Sequence, residues 1–385
     1  MQPKQKPNNP CFSSGPCAKR PGWDINNLSN FNPGRSHRAS CQKEKLNKII
    51  TLTKELLNIP DDFYVGIVPA SDTGAVELAM WNLLGAKGVD VFSWESFSSD
   101  WAIDAQKELK LDDLKLYHAD YGILPDLTVA SKDRDLVFAF NGTTSGVKVA
   151  NCDFISDDRT AITICDATSA IFAYKMPWHK LDATTFSWQK VLGSEAAHGM
   201  LILSPKAVER LETFEPNRPL PKIFRIKKKG KIDAAIFSGA TINTPSMLAV
   251  EDALDSLNWV KEIGGEKAMI SRSENNLNII KKWVSASTWI DFLAEKTETI
   301  SSTSICLKIS DNKYQELDSE QQNSFVKEIV KLLAKENIAY DIAAYRAAPA
   351  GIRIWGGGTV EASDLEILTQ WLDYAFIEIS KNYFK

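Results

Sequence analysis

Apolar positions along this chain fall into two alternating patterns, and the alternation predicts a layered α/β fold. Short, nearly continuous apolar runs read as buried strands, and stretches with an apolar residue every third or fourth position read as helices. Over residues 47–57 the helical period is carried by Ile49, Ile50, Leu52, Leu56 and Leu57. A strand at 63–68 follows, then the turn Pro69-Ala70-Ser71-Asp72-Thr73-Gly74-Ala75, then a helix over 76–84. Further strands are predicted at 89–93, 114–118, 136–140, 161–165, 186–188 and 200–204, with helices at 100–109 and 206–213. Such alternation implies a mostly parallel sheet, with a hairpin-like pair around Lys190 as a local antiparallel exception.

Two long helices, 246–263 and 267–285, lead on to a strand at 302–309 and a helix at 319–335. Strands at 339–342 and 352–355 and a helix at 363–381 complete the pattern. It divides the chain into a large domain, residues 41–265, and a smaller C-terminal α+β domain, residues 266–385. Residues 1–40 are rich in Pro, Ser, Asn and Gly, which fits an arm that wraps a neighbour and equally fits disorder.

Composition narrows the function. A net charge of −4 and a pI near 5.8 argue against nucleic-acid and membrane-surface partners. The one basic cluster, Arg225 to Lys231, is short and reads as a solvated loop. The six cysteines form no CxxC pair, and Cys165 lies in an apolar strand pattern, which reads as reduced, cytoplasmic usage. The polar, proline-containing start has no signal-peptide core, and no apolar run is long enough to span a membrane. His37, His118, His179 and His198 are scattered without metal-ligand spacing, so no metal site is expected.

The chemistry concentrates at two positions. The apolar strand at 161–165 ends in Asp166, and Lys190 follows on the next strand-turn unit, ahead of the small-residue segment Gly193-Ser194-Glu195-Ala196-Ala197-His198-Gly199. An acid at a strand end and a lysine on the neighbouring unit are what pyridoxal 5'-phosphate requires. The lysine takes the cofactor aldehyde, and the acid keeps the pyridine nitrogen protonated. Ser71-Asp72-Thr73, between a strand and a helix, offers backbone N–H groups and hydroxyls to the cofactor phosphate, although all three residues also serve as ordinary caps. In Asn141-Gly142-Thr143-Thr144-Ser145-Gly146, Thr143 is placed to hydrogen-bond the ring hydroxyl; as a polar turn the segment also explains itself. Phe97, Trp94 and Trp101 follow a strand; Phe97 is assigned to stack on the ring, Trp101 being the competing choice. Arg353 alternates with Ile352 and Ile354, so it points to the opposite face of its strand and suits a carboxylate.

With these residues the chain resembles the phosphoserine aminotransferase family of fold-type I, class-V pyridoxal-phosphate enzymes. Cys11-Phe12-Ser13-Ser14-Gly15-Pro16 is similar to the family's N-terminal Phe-x-x-Gly-Pro, Ser36-His37-Arg38 to its substrate-binding Ser-His-Arg, and Trp188-Gln189-Lys190 to its Gln-Lys pair. Asn243-Thr244-Pro245 matches its Asn-Thr-Pro, and Gly351-Ile352-Arg353 its carboxylate-binding segment. Together they cover nearly the whole chain. The resemblance implies amino transfer between glutamate and 3-phosphohydroxypyruvate in serine biosynthesis, with Lys190 as attachment point and base and Gln189 beside it. It further implies a homodimer with shared active sites, in which Asn243 and Thr244 reach the neighbour's cofactor phosphate. His37, Arg38 and Arg346 would hold the substrate's distal anion and Arg353 its α-carboxylate. Use of a phosphorylated pyridoxine precursor is left open.

The chain also departs from the better-known bacterial branch. It has Ser71-Asp72-Thr73 where that branch has Gly-Gly-Arg, Phe97 at the stacking tryptophan, and Tyr345 where a histidine precedes the arginine. These departures mark a divergent branch and keep alanine–glyoxylate and serine–pyruvate aminotransferases as alternatives. A cysteine desulfurase needs a mobile nucleophilic cysteine, whereas Cys306 sits in a strand pattern. A non-catalytic scaffold would have no need of both Lys190 and Asp166.

Overall fold

The computed structural model describes residues 2–384. Helix α1 (Ser40–Leu56) leads to strand β1 (Tyr64–Pro69) and helix α2 (Ser71–Leu83). Strand β2 (Val89–Ser93), helix α3 (Ser96–Ile103), β3 (Leu114–His118) and β4 (Asp135–Ala139) follow. A two-stranded hairpin, β5 (Asn141–Gly142) and β6 (Val147–Lys148), precedes β7 (Thr163–Asp166), β8 (Ala183–Ser187) and β9 (His198–Leu203). The large sheet has seven strands in the order β1-β9-β8-β7-β4-β2-β3. The pairs β3–β2, β2–β4, β4–β7 and β7–β8 are parallel, whereas β8–β9 and β9–β1 are antiparallel. Apolar cores lie on both faces of this sheet. That is why its strands read as unbroken apolar runs. Lys190 lies in the turn of the antiparallel β8–β9 pair, as the hairpin reading expected.

Helix α4 (Pro205–Thr213) packs beside the short hairpin β10 (Lys227–Lys228) and β11 (Lys231–Ile232). Long helices α5 (Met247–Glu262) and α6 (Gly265–Ala286) then lead to a three-stranded antiparallel sheet of β12 (Ile290–Phe292), β13 (Ser304–Ile309) and β14 (Gly351–Trp355). Helices α7 (Asn312–Gln315), α8 (Ser319–Lys335) and α9 (Ala362–Tyr383) complete this C-terminal unit.

Several expectations are corrected. Helix α2 begins at Ser71, so Ser71-Asp72-Thr73 form its first turn. Gly74 permits this: a Cβ there would lie 2.4 Å from the Pro69 carbonyl. Helix α3 begins at Ser96, because Glu95 caps it by accepting from the Ser98 N–H, and it runs on into one π-helical turn, Asp104–Glu108. Residues 339–342 form no strand: Asp341 has φ 54°, which breaks the extended run, and only single bridges flank it, Tyr340 with Cys11 and Ala343 with Ile352. The basic cluster is a hairpin rather than a loop, with Lys227 paired to Glu215 and Lys231 to Glu212.

Residues 2–40 fold back on their own chain. Phe12 and Leu28 are buried, Asn8 and Asn9 donate to Asp364 at the start of α9, and the Trp23 indole donates to Asp252 of α5. Among the described residues no helix is long and apolar enough to cross a membrane.

Candidate active site

The parallel strands β4 and β7 and the neighbouring β2 deliver their carboxyl ends to one edge, the usual place for ligands in such sheets. Asp166 is the last residue of β7 and is 6% exposed. Its Oδ2 accepts from the Trp101 indole N–H at 3.1 Å and its Oδ1 from the Thr168 backbone N–H at 3.0 Å. Trp101 is thus committed to Asp166 and the core. Trp94 is likewise core, its indole donating to the Val147 carbonyl at 2.9 Å. Phe97, half-buried in the first turn of α3, carries no such polar tie.

Lys190 is 9% exposed, with its Nζ donating to the Ser14 carbonyl. The N-terminal segment lies directly over it: the Cys17 N–H donates to the Gln189 carbonyl at 2.9 Å. A Cβ at Gly15 would sit 2.7 Å from Lys190 Nζ, so only glycine leaves the amine room. Burial lowers the pKa of Lys190, and the nearby Arg353 charge lowers it further, while Cys17, Asp166 and Asp72 oppose. The Cys17 opposition is weak near neutrality, because burial pushes that thiol up to about 12 and leaves it uncharged. The outcome is an amine more readily neutral than a surface lysine, as a general base must be.

Gln189 Nε2 donates to Ser71 Oγ at 2.7 Å, and its Oε1 is buried without a partner. Ala70 and Ser71 both have positive φ, 65° and 56°, strain held in place by the β1–α2–β9 packing. Ser71 is half-buried and Thr73 exposed, at the N-terminus of a thirteen-residue helix. Their hydroxyls and the helix end suit a phosphate. Asp72 behaves differently from its sequence assignment to that phosphate. Its carboxyl is turned under the helix, 6% exposed, against Asp166 and Thr185. Burial, then the Asp166 charge, raises its pKa well above the carboxylate range.

Thr143 is buried, donating to Ser169 Oγ at 2.9 Å, while the Ser304 hydroxyl donates to its carbonyl. Asn141 bonds to Ser169 and Thr303, tying this turn to the C-terminal sheet. Glu95, buried, accepts from Thr144 Oγ1 at 2.7 Å and holds the Thr143–Thr144 turn against α3. Tyr345 is the hub of the opposite wall. Phe97 packs on it with ring centroids 5.8 Å apart, and the guanidinium carbons of Arg346 and Arg353 each lie 5.7 Å from its ring. Arg353 Nε is buried with no partner, a donor awaiting an acceptor.

Lys190, Asp166, Asp72, Gln189, Ser71 and Arg353 are therefore one cluster, with Thr73 on the first turn of α2 and Thr143, Phe97 and Arg346 on the flanking walls. His37, Arg38, Asn243 and Thr244 are not brought to it within the chain. His37 and Arg38 sit before α1, where burial, then Arg38 and Lys43, lower the pKa of His37. Arg38, Asn243 and Thr244 are exposed. Among the described residues no hydrogen bond or ion pair joins these four to the Lys190 cluster. Sequence reasoning missed Trp101 as the Asp166 donor, Glu95, Tyr345 as the arginine platform, and His198. His198 Nε2 accepts from the Ser246 N–H at 3.1 Å and so fixes the end of the Asn243-Thr244-Pro245 segment. Burial lowers its pKa to about 4, which keeps the ring a neutral acceptor. The aromatic runs at 94–101 and the histidine beside Gly199 were visible signals, but neither indicates its partner.

The geometry suits pyridoxal 5'-phosphate: a buried amine on Lys190 beneath a glycine, a carboxyl at a strand end, unpartnered buried atoms on Gln189 and Arg353, and a helix N-terminus with hydroxyls. No protein-family model matches the chain. It is 55% identical over 376 residues to the phosphoserine aminotransferase of Methanosarcina barkeri, covering 98% of this chain and 99% of that one. Among solved structures it is similar to the phosphoserine aminotransferase of Cytophaga hutchinsonii, with a TM-score of 0.79, 20% identity, and 95% and 99% of the two chains covered. The phosphoserine aminotransferase of Trichomonas vaginalis with pyridoxal phosphate bound superposes with a TM-score of 0.77, at 17% identity over 95% of this chain and all of that one.

Proposed function

The chain belongs to the phosphoserine aminotransferase family, and from that premise we propose that it transfers an amino group reversibly between glutamate and 3-phosphohydroxypyruvate, giving 2-oxoglutarate and phosphoserine. It is a pyridoxal 5'-phosphate-dependent enzyme. The observation that carries the reading is the buried, readily neutral amine of Lys190 set among Asp166, Gln189 and the unpartnered Arg353. When bound, the cofactor supplies an aldehyde that takes up the amino group and a ring that accepts the electron pair left at the substrate α-carbon.

Lys190 is the attachment point and then the base that moves the α-proton. Asp166, held by Trp101 and Thr168, would meet the ring nitrogen and keep its proton in place. Ser71, Thr73 and Gln189 would hold the phosphate, Thr143 would meet the ring hydroxyl, and Phe97 would pack on the ring. Arg353 takes the substrate α-carboxylate, while Arg346 at the exposed edge of the Tyr345 platform meets the distal anion.

A second copy completes the site in this reading. His37 and Arg38 would add positive charge for the substrate phosphate, and Asn243 and Thr244 would reach the cofactor phosphate, all across a homodimer interface. The exposure of Arg38, Asn243 and Thr244, away from their own chain's cluster, supports this. Exposed Ile25 and Leu248, on elements packed together beside that segment, suit such an interface. The break at Gly264, between α5 and α6, supports a division near residue 265 into a large domain, 41–265, and a small one, 266–385. The six free thiols fit a cytoplasmic setting, and the phosphoserine made by the proposed reaction fits serine biosynthesis.

The test is a panel of keto acids with glutamate as donor. 3-Phosphohydroxypyruvate should be the best acceptor by at least about a hundredfold in kcat/KM, the range of a desolvated charge-assisted contact. Glyoxylate or pyruvate used equally well would favour the alternative aminotransferases.

A further inference from the structure

The cluster holds one group that the proposed reaction does not use, the carboxyl of Asp72. Helix α2 packs across β7 and β8, where Asp166 and Thr185 are register partners on adjacent strands. Asp72, in its first turn, drops its side chain toward that pair, and its carboxyl meets that of Asp166. Asp72 and Asp166 are each 6% exposed.

Ionised carboxylates only accept hydrogen bonds, so two of them in contact away from water repel each other and leave atoms unsatisfied. Asp72 Oδ1 is indeed buried without a partner. Asp166 already receives one N–H on each oxygen, an arrangement suited to a carboxylate. Asp72 receives no N–H. The proton therefore belongs on Asp72.

We propose that Asp72 is a positioning residue: as the neutral acid of a two-carboxyl pair, it donates a hydrogen bond to Asp166 and fixes the carboxylate that faces the bound cofactor ring. The rise in Asp72's pKa agrees in direction, burial being its first cause and Asp166 its second. The other titratable groups around the pair are Lys190 from the β8–β9 turn, Cys165 on β7 and Glu95 before α3. Lys190 opposes the rise; burial pushes up both Cys165 and Glu95, and neither group carries positive charge in either protonation state, so Lys190 is the one nearby cation among these groups. The pair shares its proton in the manner of other close carboxyl dyads. The effect on the cofactor rests on the reading of Asp166 given above; the protonated pair does not.

The test uses the full-length protein with and without pyridoxal 5'-phosphate. Infrared spectra of protein carrying ¹³C-labelled aspartate carboxyls should show a protonated carboxyl band at neutral pH that Asp72→Asn removes. A spectrum unchanged by that substitution would overturn the pair. Pyridoxal 5'-phosphate affinity, followed by quenching of tryptophan fluorescence, gives the second arm. The Asn amide still donates, so Asp72→Asn should stay within about threefold of wild type, whereas Asp72→Leu should weaken binding about ten- to a hundredfold, the range for a hydrogen bond to a charged group. Equal weakening in both variants would overturn the donor role. If Asp72→Leu fails to fold, the infrared band and the Asp72→Asn affinity still decide. Asp166→Ala separates the two readings: wild-type affinity there would remove Asp166 from the cofactor site and leave the carboxyl band to judge the pair alone.

Discussion

Truncating Arg353 should impair turnover of every amino acid, whereas truncating Arg346 or Arg38 should impair only phosphorylated ones. The difference follows from where the three side chains sit. Arg353 lies on β14, with its backbone N–H bonded to the Ile342 carbonyl at 2.8 Å and its guanidinium against the Tyr345 ring. Its Nε is buried without a partner, so an arriving α-carboxylate would complete a charge-assisted contact largely shielded from water. Losing such a contact costs about 2–4 kcal/mol, or roughly 30- to 1000-fold in kcat/KM. Arg346 meets the same ring but is exposed, and water screens its charge. Its loss should cost about 1 kcal/mol, roughly fivefold, and only where a phosphate is present. Arg353→Ala has a second consequence. It removes a charge that lowers Lys190, so the amine should hold its proton to higher pH and the acid limb of the rate profile should move upward. The assay is kcat/KM for phosphoserine against alanine and serine in each variant, repeated across pH for Arg353→Ala. Equal losses on phosphorylated and unphosphorylated substrates in Arg38→Ala and Arg346→Ala would refute their assignment. Unimpaired alanine turnover in Arg353→Ala would refute the α-carboxylate role.

Three further outcomes are expected. Gly15→Ala should weaken cofactor binding about tenfold with little change in thermal stability, because its Cβ would displace the mobile end of Lys190 rather than the backbone; unchanged affinity would contradict that packing. His198 is buried and neutral with a folded pKa of about 4, below its ordinary 6.5, so its contribution is complete above about pH 6.5 and is lost as pH falls toward 4. The urea stability of wild type relative to His198→Asn should therefore fall by on the order of 3 kcal/mol between pH 7 and pH 4, and a pH-independent difference would refute it. A mixture of inactive Lys190→Ala and inactive Asn243→Ala/Thr244→Ala chains should regain about a quarter of wild-type activity if sites are shared between subunits, since half the dimers then carry one intact site. No recovery in demonstrably mixed dimers, or an active monomer in sedimentation, would contradict shared sites.

Most of the architecture was legible because buried strands and amphipathic helices announce themselves by period. Lys190 and Asp166 were legible for a related reason: a polar residue closing an apolar strand run has to face something. The starts of α2 and α3 were not. Ser71-Asp72-Thr73-Gly74 and Ser96 carry no apolar stripe, and their helices begin where a tight glycine contact and a Glu95 cap permit. The direction of Asp72 was illegible too, since a first-turn acid reads the same whether it meets solvent, a phosphate or, as here, a second carboxyl beneath the helix. Residues 339–342 had the apolar content of a strand, but Asp341 turns left-handed and leaves only isolated bridges. Tyr345 as a platform for two arginines depends on a loop returning beside β14, which local pattern does not encode.

The central claim is that Lys190 is where the cofactor attaches. Full-length protein loaded with pyridoxal 5'-phosphate, reduced with borohydride and digested, should yield one modified peptide by mass spectrometry, with the added mass on Lys190. Lys190→Ala should yield none. Modification of another lysine in wild type, or of none, would contradict the account.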